Sequence, residues 1–278
     1  MAKTGPIGVF DSGYGGLTVL RDLQKTLPQY DYLYLGDNAR APYGSRSFDI
    51  VTDFTRQAVD YLFGRGCPLV ILACNTASAK ALRTLQQTWL PHTDDPTRRI
   101  LGVIRPTAEA VGAHSHNGHI GVVATPGTIA SESYNIEIAK LHPGATVTGH
   151  ACPMWCPLVE CGEADGPGAD YFVQKDIDAL LDADPQIDTI VLGCTHYPLL
   201  YNKIRHAVDR RNSAIQLLRQ GTIVADSLRD YLRRHPEMEC RLQKSGTTTY
   251  LTTENPDKFA DLATLFMGHP VTATKIKL

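Results

Sequence analysis

Short apolar runs recur along the chain: "IGVF", "DYLYLGD", "PLVILAC", "RILGVI", "HIGVVAT", "ATVTGHAC" and "DTIVLGC". Each is followed by a polar or glycine-rich turn and then by a helical pattern. Strands that are apolar throughout are buried on both faces, and their alternation with helices is the signature of a largely parallel sheet. The runs also repeat as a set. "PIGVFDSGYGGLTVLRDL" has a counterpart in "HIGVVATPGTIASESYNI", and "LVILACNTASAKAL" in "TIVLGCTHYPLLYNKI". In each half the cysteine strand follows the opening strand by about sixty to seventy residues, an internal similarity that predicts two related units. The expected fold is α/β: two similar domains with mainly parallel sheets flanked by helices, related by pseudo-symmetry, with the active site in the interdomain cleft.

A length of 278 residues suits two such domains. Polar breaks at "PHTDDPTRR" (91–99) and "DRRNSA" (209–214) place the boundaries. The first domain is then discontinuous, 1–98 and 212–278, and the second spans 99–211. The tail carries a strand pattern, "TTTYLTT", and a helix pattern, "PDKFADLATLFMG", both expected to return to the first domain.

A net charge of −2 with both signs interspersed gives no electrostatic reason to expect nucleic acid or an anionic membrane as partner. No segment reads as a membrane span, and "MAKTGPIGVFDSG" has no apolar stretch leading to a small-residue cleavage site. A cytoplasmic protein is expected. Seven cysteines without regular spacing point to reduced thiols rather than a disulfide framework.

Chemistry concentrates where strands end. In a parallel α/β sheet, ligands bind beyond the carboxyl ends of the strands, where helices begin. Cys74 follows "LVILA" and Cys194 follows "TIVLG", each succeeded by hydrogen-bonding residues: Asn75 and Thr76 in one case, Thr195 and His196 in the other. A thiol at a helix start is acidified and suited to proton transfer. One such cysteine alone reads as a small buried apolar residue, but the same pattern twice points to function. Asp11 and Ser12 close the first strand in "VFDSGYGGLTVL", whose Gly13, Gly15 and Gly16 permit close backbone approach. Their spacing is not that of a dinucleotide fingerprint, so no nicotinamide cofactor is expected, and Asp11 is either a substrate ligand or a helix cap. In "YLGDNARAPYGSRS", Asp37 ends a strand, and the turn at Pro42, Tyr43 and Gly44 offers backbone donors for a carboxylate or is an ordinary connection. Cys152, Cys156 and Cys161 lack paired Cys-x-x-Cys spacing, so no metal is expected. His114, His116 and His119 surround an Asn-Gly turn and read as a solvated loop. Glu160 is either a solvated helix residue or a carboxylate facing the substrate.

Taken in order, "VFDSGYGGLTVL", "LGDNARAPYGSRS", "LACNTASA", "CPLVE" and "GCTHYPLL" closely resemble the glutamate racemases, within the cofactor-independent aspartate/glutamate racemase family, over nearly the whole chain. The resemblance implies interconversion of L- and D-glutamate without pyridoxal phosphate or metal, supplying bacterial peptidoglycan synthesis. It makes Cys74 and Cys194 the paired acid/bases, acting on D- and L-glutamate respectively, with Asp11 and His196 assisting them. It assigns substrate contacts to Asp11, Ser12, Tyr43, Gly44, Asn75, Thr76, Thr195 and His196, adds Thr125 and Glu160 as further active-site positions, and leaves room for a homodimer. Thr107 stands where many members carry glycine, and "VADSLRDYL" matches the family's late segment imperfectly. The longer N-terminal extension of activator-dependent members is absent from the pattern. Competing readings are a relative acting on aspartate or a hydantoin, a non-catalytic amino-acid binding protein, and a thiol redox enzyme.

Overall fold

The computed structural model describes residues 4–278 and divides into two compact units, Met1–Val103 with Gly221–Leu278, and Ile104–Gln220. The first unit is built on six strands: β1 (Ile7–Asp11), β2 (Tyr32–Gly36), β3 (Leu69–Leu72), β4 (Arg99–Gly102), β9 (Thr248–Thr252) and β10 (Ala273–Lys275). They lie in the order β10-β9-β2-β1-β3-β4, every pair parallel. The second unit has β5 (His119–Ala124), β6 (Thr146–Ala151), β7 (Thr189–Gly193) and β8 (Gln216–Leu218), ordered β6-β5-β7-β8 and again parallel. The arrangement β2-β1-β3-β4 is therefore repeated as β6-β5-β7-β8, and the internal sequence similarity corresponds to one topology used twice.

Central strands are apolar because helices cover both faces of each sheet. All residues of β1, β2, β3 and β7 are buried. On one face of the first sheet the helix Phe48–Gly64 covers Phe10, Leu35 and Leu72, and Phe63 stacks on Trp89. A separate aromatic group of Tyr14, Tyr34, Phe259 and Phe266 joins the helix Gly16–Thr26 region to the helix Pro256–Met267. That last helix has its ends written in the sequence: the Asn255 side chain accepts from the Asp257 and Lys258 amides, Pro256 opens it, and Gly268 at φ 77° closes it.

Unit boundaries fall after Val103 and after Gln220. Strand β4 pairs with β3, so residues 99–103 belong to the first unit, and the polar stretch 91–99 feeds β4 instead of linking units. Strand β8 pairs with β7, which carries the second unit on to Gln220. Of the three histidines expected in a solvated loop, His114 ends the helix Ile104–His114 and His119 opens β5; the turn between them is tied down, Asp188 accepting from Ser115 Oγ and the His116 and Asn117 amides, and His119 Nδ1 meets Asp184 at 2.8 Å. Among the described residues no helix is long and apolar enough to cross a membrane.

Candidate active site

In each unit the parallel register brings three strand ends level. In the first, Asp11 pairs with Gly36, and the Ala73 amide donates to the Phe10 carbonyl. The next residues along the three strands are Ser12, Asp37 and Cys74. In the second, Ala124 pairs with both Ala151 and Gly193. The next residues are Thr125, Cys152 and Cys194. Ser12 thus corresponds to Thr125, and Cys74 to Cys194, by register alone.

Cys74 caps the helix Asn75–Lys80, its sulfur accepting from the Ala77 amide at 3.4 Å while Ser12 Oγ lies 3.2 Å from Sγ. Both contacts favour a thiolate or a thiol engaged by a hydroxyl, the condition for reversible proton transfer. Asp11 turns one carboxylate oxygen back to the Gly13 amide at 2.8 Å, and Tyr34 OH donates to the Gly13 carbonyl at 3.0 Å. The glycine-rich loop is thereby pinned beside the thiol. Asn75 and Thr76 follow Cys74 and are buried.

Gly16 keeps this corner open. A Cβ there would lie 2.5 Å from Asp11 Cβ, 2.9 Å from its Cγ and 3.0 Å from Ala73 Cβ. Gly16→Ala is therefore expected to push Asp11 aside and to destabilise the protein by about 1–3 kcal/mol. Urea unfolding checks the stability, and a parallel loss of catalytic turnover checks the displacement; wild-type behaviour in both would contradict it.

Asp37 is fully buried and holds the next loop together. Arg40 Nε donates to it at 2.6 Å, Thr253 Oγ1 donates at 2.9 Å, and Tyr43 OH donates to the same oxygen as Arg40. Burial and the neighbouring Asp37 charge push the Tyr43 phenol well above its ordinary value, so it remains a neutral donor. The Tyr43 hydroxyl is committed to Asp37 and its carbonyl accepts from the Arg46 amide at 3.0 Å, so what the Tyr43–Gly44 segment can offer a carboxylate ligand is its amides.

The second thiol is built differently. Cys194 is followed by the turn residues Thr195 and His196 and then by the 3₁₀ segment Tyr197–Leu200, with Pro198 in its first turn. It is therefore not a helix cap as Cys74 is, and other groups govern its charge. Cys156 Sγ lies 3.4 Å from Cys194 Sγ, and His196 Nδ1 lies 3.8 Å away. Hydrogen bonding from Cys156, then from His196, outweighs burial and holds the Cys194 thiol well below its ordinary value. His196 moves the opposite way: its burial is overcome by Cys194 and by Glu160, whose Oε1 lies 2.8 Å from Nε2, and its pKa is raised well above the usual imidazole range. The two opposed shifts favour a thiolate–imidazolium pair, with Glu160 orienting the ring.

Glu160 thus faces His196, an arrangement neither of its two sequence readings contained. It sits at the end of the helix Trp155–Glu160, and Cys156 lies one turn earlier on the same face. The i, i+4 pair on this helix meets the i, i+2 pair after β7. Cys156 is the functional neighbour that sequence reasoning passed over; its spacing to Glu160 was the available signal. Thr125 caps the short helix Pro126–Ala130, its oxygen accepting from the Thr128 amide at 3.4 Å.

A family described as Asp/Glu/Hydantoin racemase matches residues 7–226. The glutamate racemase of Roseobacter denitrificans is 40% identical over 271 residues, which is 94% of this chain and 96% of that protein. Among solved structures, glutamate racemase from Bacillus anthracis superposes with a TM-score of 0.88 at 31% identity, covering 99% of this chain and 98% of that one. The Francisella tularensis enzyme, solved in complex with D-glutamate, gives 0.84 at 28% identity over 100% and 98% of the two chains. Two matching sheets with a thiol after the equivalent strand of each, carried by a sequence this similar from end to end, place the chain in the Asp/Glu/Hydantoin racemase family.

Proposed function

We propose that the protein interconverts L- and D-glutamate by a two-base proton transfer and supplies D-glutamate for peptidoglycan synthesis in the bacterial cytoplasm. The observation that carries this reading is the pair of thiols after β3 and β7, at equivalent positions of a repeated topology, in a chain 40% identical to a glutamate racemase. Racemisation removes the α-proton from one face of the substrate and returns a proton to the other, so one base must be ionised while its partner is protonated. Cys194, held as a thiolate by Cys156 and His196, is the base for L-glutamate; Cys74, beside Ser12, is the acid on that pass and the base for D-glutamate.

Acidity is the central difficulty. An amino-acid α-proton has a pKa on the order of 20 against about 8.5 for an ordinary thiol, so the transfer is uphill by about 16 kcal/mol. Acidifying Cys194 widens that gap by about 1.4 kcal/mol per pKa unit while ensuring that the base is present at neutral pH. The carbanion therefore depends on hydrogen-bond donors around the substrate carboxylate. Asn75, Thr76 and Thr195 are the proposed donors, with Asp11, Ser12 and the Tyr43–Gly44 backbone completing the substrate contacts. His196 and Glu160 act through Cys194, and Thr125 takes the place in the second unit that Ser12 has in the first. No cofactor or metal takes part in this scheme.

The test is incubation of the purified protein with L-glutamate, without added cofactor, in deuterated water. Optical activity should decay to zero and the product should carry deuterium at the α-carbon. Preferential loss of optical activity with L-aspartate would move the assignment to another member of the family, and binding without turnover would leave an amino-acid receptor.

A further inference from the structure

Cys156 has no part in the two-base scheme beyond its hydrogen bond, yet it completes a second kind of site. The Sγ atoms of Cys156 and Cys194 are 3.4 Å apart, Cys194 Sγ is 3.8 Å from His196 Nδ1, and all three ligand atoms lie within 4.8 Å of one another. None of the seven cysteines is disulfide-bonded. At metal–sulfur and metal–nitrogen lengths of about 2.3 and 2.05 Å, a tetrahedral zinc ion separates two sulfurs by about 3.8 Å and a sulfur from a nitrogen by about 3.6 Å. The Cys156–Cys194 and Cys194–His196 spacings differ from these by a few tenths of an ångström. The far side of the imidazole is already arranged as metal sites require, with Nε2 hydrogen-bonded to Glu160 at 2.8 Å.

We propose that Cys156, Cys194 and His196 form a binding site for a thiophilic divalent cation, zinc foremost, with Glu160 orienting the histidine, and that the bound ion reversibly silences Cys194. Two thiolates and an imidazole select zinc over magnesium or calcium. Three protein ligands leave the fourth position to water, so the ion can exchange. On binding, the Cys156 thiol proton and the His196 Nδ1 proton pass to solvent, while the Nε2 hydrogen stays with Glu160. No electrons are transferred. The site lies wholly within the second unit, and its helix arm supplies both Cys156 and Glu160 from one face. Binding stands independently of the proposed racemisation; the silencing rests on it.

The test uses the full-length protein, stripped of metal and kept anaerobic so that the thiols stay reduced. Competition with a chromophoric chelator should give one zinc ion per chain, and cobalt(II) in its place should give a sulfur-to-metal charge-transfer band. Cys156→Ala should weaken zinc binding at least tenfold and diminish that band, and Glu160→Gln should weaken binding by about 10–100-fold. Cys156→Ser serves as a second variant should alanine disturb the helix. Cys152→Ala, in the neighbouring cluster with His150 and Asp176, should change nothing. Absence of stoichiometric zinc, indifference to both Cys156 substitutions, or loss of the ion in Cys152→Ala would overturn the site. Racemisation by the wild type should fall in proportion to zinc occupancy and return on chelation. Full activity at full occupancy would overturn the silencing, whereas stoichiometric zinc in a protein that racemises nothing would overturn the proposed function and leave the site standing.

Discussion

Replacing either Cys74 or Cys194 with alanine is expected to lower kcat/KM for glutamate racemisation by at least about 10³-fold, and by the same factor in both directions. Equality follows from thermodynamics: enantiomers have equal free energies, so the ratio of forward to reverse kcat/KM is fixed at one for any variant. Asymmetry between the thiols can appear only in the separate kcat and KM values and in isotope exchange. With one thiol removed, the other still reaches its own face. L-Glutamate should therefore gain solvent deuterium with retained configuration in Cys74→Ala, where Cys194 remains, and D-glutamate should do so in Cys194→Ala. A variant keeping more than a tenth of wild-type racemisation would remove that cysteine from the mechanism, and exchange into the opposite enantiomers would reverse the assignment of faces.

The second large effect lies in His196. His196→Gln removes the imidazolium that stabilises the Cys194 thiolate across 3.8 Å, so the acid limb of kcat/KM should move upward toward the ordinary thiol value of about 8.5. The sign follows from the directions of the two shifts. The Cys194 pKa is depressed in the folded protein, so its ionised form persists as pH falls below the unperturbed thiol value; without His196 that form is lost sooner on acidification. At neutral pH about 3% of an ordinary thiol is ionised, so the loss is expected to reach at most about 30-fold, less whatever the Cys156 hydrogen bond retains, with up to a tenfold recovery per pH unit on raising the pH. The apparent value belongs to the coupled thiols together, so both directions should show the same limb. Glu160→Gln should displace it in the same sense and less far. A pH profile unchanged in His196→Gln would mean that Cys156 alone sustains the thiolate.

The strands were legible because burial on both faces leaves an uninterrupted apolar run, and the thiols because the same pattern ends two such runs. What was not legible depends on partners distant in sequence. "RILGVI" and "HIGVVAT" are alike as strings, and only pairing with β3 assigns the first of them to the first unit. Thr253 reaches Asp37 because β9 lies beside β2, which no local pattern announces. Cys156 and Glu160 were visible as residues, but their direction is set by a six-residue helix whose placement beside the 3₁₀ segment Tyr197–Leu200 is a tertiary fact. The helix start expected at Cys194 gave way to a 3₁₀ segment with Pro198 in its first turn, and the work of lowering the thiol's pKa passed from the backbone to two side chains.

The placement of β9 also sets a schedule for the growing chain. Strand β2 ends at residue 36, but the neighbour that covers its outer edge begins at 248, after the whole contiguous second unit. At roughly 5–20 residues per second, synthesis of the intervening chain takes about 10–40 s. For that interval β2 is an edge strand with unpaired backbone groups, open to mispairing with another nascent chain, while residues 104–220 are already free to fold. The order of manufacture thus makes the second unit the early-folding part of the molecule and leaves the Cys74 half to be completed by the final thirty or so residues.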